Sequence, residues 1–519
     1  MKIKYYIILL LIPLQIVAQF TNEFDLSSID DTNGLVIYGE GANQRFGTSV
    51  SGTGDFNNDG KMDITIGAPN TGGGKAFTIF GANINQNNPF NILSINGGNG
   101  FVATGEGAIG ITVSSAGDFN GDGIDDMIIA SYSSGSNVNF NGIAYLVYGN
   151  DQPLLQSLNL KTLSNSQGFI INKPSSINGS SNDFTSNFHV AKAGDLNNDG
   201  FDDVVISAVF GSFSNVTNGT VYVIYGSNTN LVGPFNLDAI NGTNGVMMYG
   251  EIDNEKAGYA ISGAGDFNGD GIDDLIIGAP GAKPNGTLSG KTYVVFGNNT
   301  INHPFALSSI NGVNGVKING ENFFDYSASA VAGDFDFNGD GYKDILIGAH
   351  RKKIFGYSLT GRAYIVYGHG NPFNAEIELS TMTLSEGLKI NGLNENDRFG
   401  FSVSSAGNFN GDRFDDVIIG GTHLTTDSIT IASAIIYGTN QPFTNGIDGT
   451  MDLFPLFAQY GTRIKGRKQA GYSVGLANDF NNDGLDDVMI GSPSAELDNV
   501  VTGAAYVIYG NDIIFSSSF

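Results

Sequence analysis

The stretch Asp55-Phe56-Asn57-Asn58-Asp59-Gly60-Lys61-Met62-Asp63 recurs seven times along the chain. Full copies start at Asp118, Asp195, Asp266, Asp336 and Asp479, and a degraded one at Asn408, with 63 to 77 residues between starts. Side-chain oxygens fall at positions 1, 3, 5 and 9, with glycine at 6. Alternate residues of a tightly wound loop turn their oxygens inward, and glycine permits a turn that often needs φ > 0. A hard cation such as Ca²⁺ takes several oxygen ligands at about 2.3–2.6 Å. The expected donor sets are Asp55, Asn57, Asp59, Lys61 and Asp63; Asp118, Asn120, Asp122, Ile124 and Asp126; Asp195, Asn197, Asp199, Phe201 and Asp203. They continue with Asp266, Asn268, Asp270, Ile272 and Asp274; Asp336, Asn338, Asp340, Tyr342 and Asp344; Asp479, Asn481, Asp483, Leu485 and Asp487. The position-7 residue of each set offers its backbone carbonyl. The loop at Asn408 is expected to be weak or empty: Arg413 replaces glycine, and only Asp412 and Asp416 remain as carboxylates. In the fifth copy an extra Asp334-Phe335 precedes Asp336, and Asp334 is expected to be a bystander.

An EF-hand would need a bidentate Glu at position 12 and a helix on each side. Position 12 is instead Ile66, Ile129, Ile206, Ile277, Ile347, Ile419 and Ile490, each within an apolar run of strand type. The loop therefore leads into a β-strand, and Asp at position 9 closes the site. Seven acidic turns without metal are the alternative, but a simple Asx turn needs no carboxylate at both 5 and 9.

Each loop sits in a unit of about 70 residues, a period that marks an array or a propeller. A unit opens with an aromatic-glycine pair and a short strand, as in Phe46-Gly47-Thr48-Ser49-Val50 or Phe399-Gly400-Phe401-Ser402-Val403. The acidic loop follows, then a strand ending in small residues such as Ile276-Ile277-Gly278-Ala279-Pro280, a variable loop, and a third strand such as Ala144-Tyr145-Leu146-Val147-Tyr148-Gly149. A fourth segment closes the unit, as in Asn314-Gly315-Val316-Lys317-Ile318-Asn319-Gly320-Glu321. Strand lengths, turn-rich flanks and β-branched content predict an all-β fold: a seven-bladed β-propeller with four-stranded blades. The blades are expected near 46–105, 110–173, 188–250, 259–320, 326–392, 399–466 and 472–510, within a single domain over 19–519. The chain begins with a fourth-strand segment, 35–39, and finishes on a third strand, 505–510. Pairing the two closes the ring and leaves no open edge.

The 519 residues carry 51 acidic and 24 basic side chains, a net charge of −27. Nucleic acid is excluded as a natural partner for such a surface. There is no cysteine, so a catalytic thiol, a Cys-ligated zinc and disulfide stapling are excluded. Residues 1–18 read as a secretion signal, with Lys2 and Lys4, an apolar run from Tyr5 to Val17, and Ala18 before the expected cleavage. No segment is long enough to be expected to span a membrane. The expected setting is secreted, extracellular or at the cell surface.

The aromatic-glycine starts, the Asp-Phe-Asn-Gly-Asp-Gly loops and the Gly-Ala-Pro at 67–69 and 278–280 resemble FG-GAP repeats over residues 24–510. The resemblance implies the seven-bladed propeller at the head of integrin α-chains, with calcium in the loops of one face and protein ligands on the opposite face. The chain departs from integrins in showing no inserted I domain, leg domains, membrane span or cytoplasmic tail. Recognition, rather than integrin-style signalling, is what carries over.

Candidate ligand-binding residues come from the loops opposite the acidic ones. They are Phe210 and Phe213; Arg351, Lys352 and Lys353; and the between-blade cations Lys465, Arg467 and Lys468. Tyr132 and Phe140 mark a further loop. Solvated loops with rim-packed aromatics are the simpler alternative. Gly471-Tyr472-Ser473-Val474-Gly475 matches a nucleophile elbow, but the serine recurs at Ser49 and Ser402 and so belongs to the repeat. The five histidines are scattered, and no catalytic site is expected. The sequence thus points to a calcium-binding propeller that takes an extracellular protein or glycan ligand. A propeller hydrolase and a purely structural surface module are the alternatives.

Overall fold

Short runs of β-branched and aromatic residues between glycine-rich turns give seven small sheets. The computed structural model describes residues 23–511 apart from 71–72, 82–87, 133–141, 152–154, 175–187, 215, 230–232, 355, 358, 423–429, 442–449 and 453–459. The signal segment 1–18 and Phe140 lie outside the described residues.

Blade 1 contains Ser49–Gly54, Asp63–Ala68, Lys75–Ile79 and Gly100–Thr104, paired antiparallel in that order from the inside outward. The same order recurs in every blade, and the innermost strands neighbour one another in a closed cycle in which Ser473–Asn478 returns to Ser49–Gly54. Second strands such as Asp63–Ala68 are buried at every residue. That is why they read as continuous apolar runs and not as an alternating pattern.

The hydrophobic core is divided among the blade junctions. At the junction of blades 7 and 1, for example, Leu35, Ile37, Met489 and Val507 pack against Phe46, Ile64, Ile66 and Phe77. Close approach across these junctions explains the repeat's glycines. A Cβ on Gly67 would stand 1.9 Å from the carbonyl oxygen of Gly110 in the next blade.

Closure follows the expected pairing: Gly34–Tyr38 lies antiparallel to Ala504–Ile508, with Val36 opposite Tyr506. The expectation of four strands per blade is incomplete. Six of the sheets carry a fifth, parallel strand on the outer edge, in five of them contributed by the connection between strands three and four of the following blade. Thus Ser157–Asn159 lies on blade 1, and Phe235–Asn236 on blade 2. On blade 6 the fifth strand is Glu23–Asp25, from the start of the described chain. A single 3-10 turn follows, and its first residue (Leu26, Leu160, Leu237 or Leu307) is buried in a blade junction. Each blade is therefore pinned to its predecessor, and the first segment pins blade 6 as well as completing blade 7.

Candidate cation loops and the opposite face

All seven acidic loops join an innermost strand to the second strand of its own blade, so they share one face of the ring. In loop 1 the Asp59 amide donates to Asp55 Oδ1 (2.9 Å) and the Gly60 amide to Asp55 Oδ2 (2.8 Å). Asn57 Nδ2 donates to Asp59 Oδ2 (2.9 Å), and the Lys61 amide to Asp59 Oδ1 (3.1 Å). Gly60 has φ 85°, the left-handed backbone that the sequence required. In the degraded loop Arg413 holds the same conformation at φ 79°, which costs a non-glycine residue energy.

Position 9 has a second task. Asp63 is fully buried at the head of its strand; it accepts from the amides of Phe56 (3.1 Å) and Gly81 (3.0 Å) and so ties the loop to the end of strand three. The glycine bond recurs in all seven blades, including Gly438 to Asp416 in the degraded one (2.8 Å). Burial pushes the carboxyls of Asp63, Asp126 and Asp487 up to about 8, and the other carboxylates of each loop add to the shift. Asp203, Asp274, Asp344 and Asp416 are raised for the same reason.

Among the described residues no three His, Cys, Asp or Glu side chains gather into a ready-made metal cluster. Position 3 is Asn, and position 9 is held by amides. The donor set nevertheless suits a hard cation: it is all oxygen, and burial, with the neighbouring carboxylates adding to it, drives the inner carboxyl toward protonation.

Position 8 was not singled out from the sequence, and it matters. Its Asp in five of the loops reaches the preceding blade and accepts from the amide of position 1. The pairs are Asp125 with Asp55, Asp202 with Asp118, Asp273 with Asp195, Asp415 with Asp336 and Asp486 with Asn408, at 2.7 to 3.0 Å. In loop 5 this position is Lys343, and the inserted Asp334 is its ion-pair partner (3.3 Å), with its carboxylate against Gly265 of blade 4. Asp334 is therefore no bystander: a lysine cannot accept the amide, and the insertion places a carboxylate in the region that Asp fills elsewhere.

On the opposite face the expected residues disperse. Lys352 is buried between Glu321 (2.5 Å) and Asp325 (2.7 Å), beside Arg362 and Lys389, so it is no ligand-facing cation. Lys465 sits in the outer strand Gly461–Gly466 and pairs with Glu23, and Lys468 pairs with Glu496 (3.0 Å). These two serve the ring, and Arg467 is exposed beside them. Phe213 stacks on Tyr249 at the end of an outer strand, with centroids 4.1 Å apart, and Phe210 lies under Lys256. Lys353 is exposed, as is Arg351, whose guanidinium lies 4.1 Å from the Tyr326 ring centroid. The repeated serine is also structural: Ser473 Oγ donates to the Gly47 carbonyl and Ser402 Oγ to that of Gly471. Neither forms part of a nucleophile elbow.

A ring of seven blades with acidic loops on one face defines the class: a seven-bladed β-propeller. The FG-GAP repeat family matches residues 46–79, 110–147, 190–224, 257–295, 327–366 and 470–508. The blade it passes over is the one with the degraded loop. The chain is an integrin alpha-like FG-GAP propeller. It is 27% identical to integrin alpha pat-2 of Caenorhabditis elegans over 51% of this chain and 20% of that protein. It is 26% identical to the phosphatidylinositol-glycan-specific phospholipase D of Dictyostelium discoideum over 92% of this chain and 52% of that protein. Integrin alpha-V of Gallus gallus is 26% identical over 46% of the chain and 20% of its own length. The chain thus spans about half or less of these curated relatives. Among the described residues no helix is long and apolar enough to cross a membrane.

Proposed function

We propose that the chain is an extracellular recognition propeller that holds Ca²⁺ in its six complete loops and binds a protein or glycan ligand on the opposite face, in adhesion or surface recognition. The observation that carries the calcium reading is the buried position-9 carboxylate, pushed toward protonation beside Asp at positions 1 and 5 in loop after loop. Bound Ca²⁺ would supply positive charge that neutralises each loop. Asp, Asn and Asp at 1, 3 and 5, the carbonyl at 7 and Asp at 9 would hold it. The protein's own share is to preset the loop through the amide bonds to positions 1 and 5. The integrin names among the relatives favour recognition as the outcome. Calorimetric titration of chelator-stripped protein tests the metal; about six ions per chain are expected, and no uptake would refute it. A glycan and protein array, probed with and without calcium, tests the ligand.

The Dictyostelium match favours a second reading, a hydrolase of phosphatidylinositol-glycan anchors. Release of an anchored marker protein from vesicles by the purified chain would establish it. No release, with array binding, leaves recognition in place.

A further inference from the structure

The mouth of the central channel on the face opposite the acidic loops is a built pit of about 390 Å³, within the size range of small-ligand sites. Its floor is a ring of one Val or Ile from each of the seven inner strands, from Val50 to Val474, each paired with the isoleucine at loop position 12. Tyr259, Phe401 and Tyr472 wall one side, with the Phe401 and Tyr472 centroids 5.4 Å apart. Thr48 and Thr112 bring hydroxyls to the other, while Ser329, in the blade between those of Tyr259 and Phe401, hydrogen-bonds His350 Nδ1 (2.7 Å). His189 also lines the wall, and its Nε2 has no hydrogen-bond partner among the described residues.

The rim is cationic in a chain of net charge −27. Arg351 directly follows His350 of the pit wall and stacks its guanidinium on the Tyr326 ring, 4.1 Å from the centroid, and the Arg398 carbonyl accepts from the amide of Phe401 in the wall (3.0 Å). Among the described residues no carboxylate forms an ion pair with Arg351 or Arg398, whereas the neighbouring Lys352 is turned inward onto two. Arg398 Nε is buried without a partner. Two arginines without a carboxylate partner, each next to a residue of the pit wall, suit anion recognition, since guanidinium binds carboxylate through paired charge-assisted hydrogen bonds.

We propose that this axial pit binds a carboxylate-bearing sugar residue of an acidic glycan, with the pyranose against the Tyr259, Phe401 and Tyr472 faces and the carboxylate on Arg351 and Arg398. An acidic peptide side chain would use the guanidinium pair but leave the aromatic faces and hydroxyls unmatched. The inference rests on the reading that this face is the recognition face, and it names the ligand class.

The test is titration of the whole chain in millimolar calcium with a glucuronate-bearing hyaluronan oligosaccharide, neutral cellobiose and a poly-glutamate peptide, followed by calorimetry and saturation-transfer NMR. The oligosaccharide should bind at least about tenfold more tightly than cellobiose. R351S/R398S should lose at least about tenfold of that affinity, the order of one charge-assisted pair, and F401A/Y472A should lose the saturation transfer to ring protons. An unchanged melting temperature shows that each variant is folded; should the double variant fail to fold, R351S alone, at an exposed residue, carries the test. No uronate binding, equal binding of neutral and charged sugars, or full affinity in R351S would overturn the proposal. Binding of the peptide alone would reassign the pit to acidic protein. An array ligand that binds R351S/R398S as tightly as the parent would remove the pit and leave recognition by this face intact.

Discussion

Asp125 Oδ2 accepts a hydrogen bond from the backbone amide of Asp55, 2.9 Å away and 70 residues earlier in the chain. The loop of blade 2 is thereby latched to the first residue of the loop of blade 1. Gly54, at φ 71°, makes room: a Cβ there would stand 2.1 Å from that carboxylate. Acidic loops and blade junctions are therefore one structure, and stability should report on both.

Asp125→Ala should destabilise by about 1–3 kcal/mol, the usual cost of leaving a buried donor unpaired or losing a bond to a charged group. Chemical denaturation at saturating calcium would measure it. A midpoint equal to the parent's would show that the latch contributes nothing.

Calcium should raise stability. With sites near the ~10⁻⁴ M affinity of extracellular modules, millimolar calcium adds roughly 1.4 kcal/mol per site and about 8 kcal/mol for six independent ones. Asp270→Ala should remove more of the calcium-dependent increment than Asp412→Ala, because only the first belongs to a complete set. A melting temperature insensitive to excess chelator would exclude the stabilisation.

Without metal, stability should fall as pH rises through about 8. The folded-state values of Asp63, Asp126 and Asp487 lie near 8, against about 3.9 for an unfolded chain. The folded state therefore binds more protons between these limits; its advantage is complete below the lower one and gone above the upper. Chelator-treated protein should melt higher at pH 6 than at pH 9, and calcium, which favours the ionised form, should flatten or reverse the trend. Melting curves across this range in chelator would check it, and a rise with pH would contradict it.

Glu321 anchors a buried network, with both oxygens 2.9 Å from Arg362 Nη1 and further bonds to Lys352 and Lys389. Glu321→Ala leaves three cations without their shared partner and should cost about 3–5 kcal/mol. Glu106→Ala, at an exposed pair with Lys161, should change the unfolding midpoint little. Similar effects of the two would refute the distinction.

Deleting residues 24–40 removes the outer strand of blade 7 and most of the parallel strand on blade 6. It should expose the Ala504–Ile508 edge and produce aggregation or broadened melting. A truncated protein that elutes as a monomer and melts like the parent would disprove closure by this segment.

Much of this fold was legible in one dimension, because the loop repeats and carries its own turn chemistry. Spacing of the seven loops set the number of blades, isoleucine at position 12 excluded the EF-hand, and the mismatched ends, 35–39 and 505–510, located the closure. The fifth strands left a weaker trace. Phe24-Asp25-Leu26, Phe235-Asn236-Leu237 and Phe305-Ala306-Leu307 share a pattern, but two or three residues of parallel pairing carry no period of their own. What only the tertiary structure decided was which charges are spent internally. Position 8 looks like one more acid of an acidic loop until the neighbouring blade brings an amide to it. Lys352 and Lys465 look like free cations until burial and the ring bring Glu321, Asp325 and Glu23 within reach, while Arg351, next to Lys352 in sequence, stays exposed against the Tyr326 ring. A charge's partner is set by distance in space, and in a closed ring that distance depends on contacts between blades, not on separation along the chain.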